Sequence, residues 1–341
     1  MFKKENRSLS FYIWCLLPIL LFFFIANISI GAIQIPFKQV VYLLAGQDIE
    51  KESWRYIVLN YRLPKAIIAI LVGIALSVSG LLMQTLFRNP MAGPYVLGLS
   101  SGASLGVAFV ILGASFLPVF LQNLFMSSAG IVGASVLGSF SILLLVLLLA
   151  QKVQDSMTLL IVGLMFGSFA SAVVGVLTYF STADQLKRYT FWSMGSLGNL
   201  DWQSVSFFAV AVLVGLALSF RSIKALDAML LGERYAASLG IPVKSARLTI
   251  ILATSVLAGA STAFAGPIAF VGLAVPHIAR LLFKTTSHKY LTLASMLLGA
   301  ILMLLCDMIT QFPGQAFVLP INAITSILGA PIVVWLILRK N

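Results

Sequence analysis

One carboxylate, Asp307, stands inside a long apolar run, LLGAILMLLCDMIT. A carboxylate in a membrane span is costly and often functional, so its chemistry would be proton or cation coupling. Its place near one end of that run also suits a structural role, an interhelical hydrogen bond. His277 and His288 have no acidic neighbour in sequence, and Cys15 and Cys306 each lie alone in apolar surroundings. None of these has a metal-ligand spacing, no span carries paired carboxylates for acid–base catalysis, and H-E-x-x-H is absent. No G-x-x-x-x-G-K occurs either, so the chain has no P-loop to hold ATP phosphates. These absences exclude catalytic and metal sites and leave polar stripes and one basic stretch to interpret.

The elements that must position these residues are membrane helices. Of 341 residues, 60% are hydrophobic and only 9% are charged, against about 25% charged in a typical soluble domain. The apolar runs are long and continuous, which excludes the alternating short strands of a membrane barrel. Runs near the 20 residues needed to cross a bilayer fall at about 9–31, 64–87, 94–112, 123–150, 157–180, 203–220, 246–265, 268–283, 290–311 and 320–338. The expected fold is an all-α polytopic bundle of about ten transmembrane helices, one domain over 1–341 with no soluble domain. Gly266, Pro267 and Gly272 interrupt the seventh and eighth runs.

Charge orients this bundle. Lys3, Lys4 and Arg7 precede the first run, which lacks a small-residue cleavage site and so reads as a retained span with its amino end in the cytoplasm. With ten spans both termini are cytoplasmic, and that side collects most of the 22 Lys and Arg residues, among them Arg88, Lys152, Arg280, Lys284, Lys289 and Arg339. The formal charge of +12 is therefore mainly orientation and does not call for nucleic acid. Two outer segments exceed a turn, 31–61 and 181–202. The second, with Phe191, Trp192, Gly195 and Gly198, suggests a short helix or re-entrant element at the interface.

The longest polar interlude, 221–247, carries Arg221, Lys224, Arg234, Lys244 and Arg247 against Asp227 and Glu233. Apolar residues at helical spacing, then Gly240 and Pro242, predict a short amphipathic helix and a turn. Gly98, Gly102 and Gly106 form a small-residue stripe suited to close helix packing. In the fifth run Ser168, Ser171, Gly175 and Thr178 share one helical face. That face either lines a water-accessible path or packs against a neighbour.

The segments 62–104, 191–202, 231–242, 266–280 and 319–331, in that order, resemble the FecCD-type permeases of ABC importers. Such permeases carry ferric siderophores, heme or cobalamin. The resemblance implies a homodimer in the cytoplasmic (inner) membrane, two ATPase subunits that supply ATP and Mg, and a periplasmic or lipid-anchored binding protein outside. No cofactor and no enzyme activity are expected on this chain. In the family's pattern, Gly232, Glu233, Ala236, Leu239 and Gly240 couple to the ATPase, and Arg62 and Lys65 face acidic residues of the binding protein. The translocation path would involve Ser168, Ser171, Gly175, Thr178, Phe191 and Trp192. Val318, Asn322 and Gln311 depart from the pattern, and Gln311 replaces a basic residue expected to dock the binding protein. An iron chelate or heme is the expected cargo, with cobalamin as the alternative. A gradient-driven carrier relying on Asp307 is the reading of another class.

Overall fold

The computed structural model describes residues 12–116, 118, 122, 125–152, 156–198, 200–311 and 318–338. The basic residues Lys3, Lys4, Arg7, Arg339 and Lys340 lie outside them. All regular elements among the described residues are helical. They are α1 (Leu16–Ser29), α2 (Phe37–Leu44), α3 (Glu52–Ile57), α4 (Leu63–Leu86), α5 (Leu99–Ile111), α6 (Ser128–Lys152), α7 (Ser156–Tyr179) and α8 (Ala183–Ser193). They continue as α9 (Trp202–Arg221), α10 (Ile223–Met229), α11 (Glu233–Ser238), α12 (Val243–Ala265), α13 (Val271–Phe283), α14 (His288–Thr310) and α15 (Ile321–Leu338). Among the described residues seven helices are long and apolar enough to cross a membrane, and three shorter apolar ones, α5, α13 and α15, complete the ten expected runs. The chain is an all-α polytopic membrane protein.

Burial ranks these helices. The stretch containing α4 is 78% buried, whereas the windows of α1 and α7 are each 17% buried. A helix apolar all round belongs at the centre of such a bundle, and α4 packs there against α9, α12, α13 and α14. Two glycine contacts allow the approach. A Cβ on Gly73 would overlap the Gly299 carbonyl of α14, and one on Gly80 would overlap the Gly272 carbonyl of α13. Backbones meet there directly, the arrangement that small residues permit between membrane helices.

Helix α4 does not begin at a free end. It continues α3 through a π-helical turn, Val58–Arg62. Pro64, at the start of α4, has no N–H to donate and crowds the carbonyl four residues back. A wider turn just upstream accommodates both demands. The 31–61 segment thus contains two short helices, the second flowing directly into a membrane span.

The short helices are interrupted spans. At about 1.5 Å per residue, the 13 residues of α5 or α13 reach about 20 Å, short of a hydrocarbon core of about 30 Å. Irregular backbone at membrane depth must be buried in protein with its polar groups satisfied. Between α12 and α13 the chain turns at Gly266, with φ +75°, and runs without helix to Val271. There the Ala269 N–H donates to Asn322 Oδ1 at 2.9 Å, and the Ile268 N–H lies 3.5 Å from the Tyr95 hydroxyl. Asn322, a departure from the family pattern, therefore closes the gap in a broken span.

Candidate functional site

The 221–247 stretch folds as two short helices, α10 and α11, where sequence spacing predicted one. The break is Gly232, whose φ of +114° and ψ of +152° suit glycine alone. At the other end of α11 the Gly240 N–H bonds to Ala237 O at 2.9 Å and the Ile241 N–H to Ala236 O at 3.1 Å. With Gly240 at φ +79° this is the paired closure that ends helices in left-handed glycine, as the Gly-then-Pro pattern predicted.

The five residues expected to couple divide by direction. Leu239 is 59% exposed, and Leu231 and Tyr235 are exposed as well. Ala236 is fully buried. Glu233 turns to its own chain, accepting from the Arg247 guanidinium at 2.7 Å. Gly232 and Gly240 shape the element. Leu239 thus faces outward, while Ala236 and Glu233 hold the element from behind.

Beneath this surface the stretch is tied to the bundle. Asp227 of α10 accepts from His288 twice, from the backbone N–H at 2.9 Å and from the ring Nδ1 at 2.7 Å. The His288 Nε2 lies 2.8 Å from Thr85 Oγ1 near the end of α4. Burial pushes the Asp227 carboxyl up, but its hydrogen bonds and charge interaction with His288 outweigh this and hold it below the usual carboxylate range. The next residue of α4's exit, Arg88, adopts φ +49° and reaches the Leu230 carbonyl at 3.5 Å. Sequence reading missed this cluster because Asp227 lies 61 residues from His288. The available signal was a lone histidine at the head of an apolar span.

At the other end of α4 sits a second buried cluster. The Lys65 ammonium is 2.8 Å from Asp307 Oδ1. Asp307 Oδ2 accepts from Asn27 Nδ2 at 3.0 Å and Gln311 Nε2 at 2.9 Å. Asp307 is 1% exposed. Arg62 is buried too, its guanidinium donating to the carbonyls of Ile28 and Ser29 at 2.7 and 2.9 Å and to that of Ile33. Arg62 and Lys65, expected to face a binding protein, both make these bonds within their own chain. Their charged heads are spent inside the chain, joining α1, α4 and α14. Gln311 supports the same carboxylate.

The face of α7 bearing Ser168, Ser171, Gly175 and Thr178 points away from the bundle, with the first three exposed and Thr178 half-buried. Helix α8 opens with a reciprocal cap between Thr182 and Gln185. It carries exposed Phe191 and half-buried Trp192. Its end is stitched to the broken span: the Ser196 N–H donates to Ala265 O at 2.9 Å, and the Asn322 N–H to Met194 O at 3.2 Å. The expected path residues lie on α7 and on α8, two helices that both pack against the cluster of Val107, Ala108, Ile111 and Leu112.

The model of the FecCD transport family matches residues 19–339. The chain belongs to the FecCD transport family. It is 35% identical over 327 residues to the hemin transport system permease protein HmuU of Yersinia pestis, covering 96% of this chain and 95% of that one. It is 37% identical over 280 residues to the vitamin B12 import system permease protein BtuC of Salmonella newport, covering 82% of each. Among solved structures it is similar to an inward-facing ABC transporter assigned to the metal-chelate type, with a TM-score of 0.84 and 27% identity over 97% of this chain and 99% of that one. Among the described residues no group of three or more His, Cys, Asp or Glu could hold a metal ion.

Proposed function

We propose that this FecCD permease is the membrane subunit of an ATP-driven importer for heme, with an iron chelate of similar bulk as the wider class. It performs no covalent chemistry. The observation that carries the coupling half of this reading is the α10–α11 surface. Its Leu231, Tyr235 and Leu239 are exposed, while Glu233–Arg247 and Asp227–His288 fix it from behind. A short helix offering an apolar edge from a rigid base suits docking in a partner groove. Closure of two ATPase subunits would push on this element, and α4 and α14 would carry the displacement through the membrane. ATP favours one orientation of the path, and hydrolysis with release favours the other.

The partner arrangement follows the family. A homodimer would set the exposed α7 face and the α8 segment along a shared axis, where Ser168, Ser171, Gly175, Thr178, Phe191 and Trp192 border the path. A chain with α7 so little covered by its own bundle accords with a second copy. The termini and the 221–247 stretch lie on the cytoplasmic side by the distribution of basic residues, and a binding protein delivers cargo on the other. Heme leads over cobalamin because the HmuU match extends over nearly the whole chain and because 191–197 resembles the heme and siderophore members. The buried Lys65–Asp307 pair favours no gradient-driven carrier.

Uptake of labelled hemin, ferric siderophore and cobalamin by a strain lacking this chain tests the reading. Rescue of hemin uptake by the wild type, and its loss with Leu239→Glu in a normally inserted protein, is the expected result. Rescue of cobalamin alone would transfer the substrate to the alternative. Full uptake by Leu239→Glu would remove the coupling role of this surface.

A further inference from the structure

We propose that His288 is the positioning residue that links the coupling element to the transmembrane lever, joining Asp227 on α10 to Thr85 on α4. The inference rests on the reading of 221–247 as the surface on which the ATPase acts. It goes further by naming the connection through which that action enters the membrane.

The geometry singles out this residue. His288 is the first residue of α14 and only 1% exposed, although it stands at a helix end. Its backbone N–H and Nδ1 both address Asp227 Oδ1, so α10 is fastened to the start of α14 by a two-point contact. Its Nε2 meets Thr85, one residue before α4 ends. The Thr85 hydroxyl also donates to Leu81 O at 3.0 Å within α4. One imidazole thus bridges three helices at a single point. A buried polar link of this kind has strict geometry, because a lost partner inside protein leaves an expensive unpaired group.

What lies beyond Thr85 makes this point mechanically useful. Helix α4 is the most buried span, and Gly73 and Gly80 clamp its backbone against α14 and α13. At its far end Lys65 is ion-paired with Asp307, near the end of the same helix α14 that His288 begins. Lys65 and Thr85 are 20 residues apart, about 30 Å of helix, the thickness of a hydrocarbon core. Helices α4 and α14 are therefore pinned to each other at both membrane faces and in the middle. They must move together, and α10 is fastened to their inner end through His288. Displacement of α10 alone would break the contact; displacement of the three as one body preserves it.

The test uses the complete transporter, this chain with its ATPase and binding protein in proteoliposomes, and reads hemin transported per ATP hydrolysed. Thr85→Val removes the hydroxyl while keeping the side chain's shape, and Thr85→Ser restores it. Changes along such networks alter coupling by about two- to thirtyfold. Thr85→Val and His288→Ala are expected to cut hemin per ATP by roughly three- to tenfold, with Thr85→Ser at the wild-type ratio. A purely structural contact would lower thermal stability and the amount of assembled complex but leave the ratio per complex unchanged. That outcome overturns the proposal, as does an equal loss in Thr85→Ser. Leu239→Glu is run beside them. If it leaves ATPase assembly and the ratio unchanged, the docking surface itself is misplaced. If it abolishes coupling while Thr85→Val does not, the docking reading stands and the His288 connection alone is refuted.

Discussion

Replacing Lys65 with Met tests whether the charged cluster beside the π-turn is structural. The ammonium lies 2.8 Å from Asp307, with side-chain exposures of 18% and 2%, so solvent screens the pair poorly. Removing one partner of a buried pair leaves an uncompensated charge, at a cost of about 3–5 kcal/mol. Asn27 and Gln311 would still donate to Oδ2 of the stranded carboxylate, which places Lys65→Met at the low end, about 3 kcal/mol. For a chain of this length roughly 2 °C accompanies each kcal/mol, so the midpoint of thermal unfolding in nanodiscs should fall by roughly 6 °C. The double variant Lys65→Met with Asp307→Asn removes both charges and keeps an acceptor for the neighbouring amides. It should return to within about 1 kcal/mol of wild type, about 2 kcal/mol more stable than Lys65→Met alone, and with the Asp307→Asn single variant it completes the cycle that gives the coupling. The same variants are assayed for affinity to the binding protein. A Lys65→Met protein with wild-type thermal stability but weakened binding-protein affinity would refute the reasoning and restore Lys65 to a docking surface.

Gly80→Ala would drive a Cβ into the Gly272 carbonyl, and overpacking of this kind typically costs about 1–3 kcal/mol. Gly133→Ala in α6, where nothing lies within 4 Å of the added atom, should be neutral or stabilising by up to about 1 kcal/mol; paired unfolding midpoints decide both. Asn322→Ala strips the acceptor from the Ala269 N–H in the break between α12 and α13, and should destabilise by about 1–3 kcal/mol, with Asn322→Asp recovering part of the loss. Unfolding of Asn322→Ala at the wild-type midpoint would show that the broken span is satisfied in another way.

Helix placement was legible because each span is a continuous apolar run, and burial in lipid or protein imposes the same composition. The interruption at Gly266 and Pro267 was legible for a local reason, since both residues act on their own backbone. The ends of 221–247 were readable likewise: Gly240 closes α11 by its own φ, whereas the split at Gly232 hid behind apolar spacing that runs on across it. The polar clusters were not legible, and the reason is distance along the chain. Asp307 and Lys65 are separated by 242 positions (307 − 65), and Asp227 and His288 by 61, so no spacing rule brings them together. Only their expense gave them away, since a carboxylate or histidine retained in an apolar helix must find partners. Charge sign likewise gave no hint that Arg62, in the π-turn before Pro64, donates to three carbonyls of α1's last turn and the segment after it. The two clusters cap one helix at opposite ends, and each gives a buried polar group the partner that the apolar run between them does not supply.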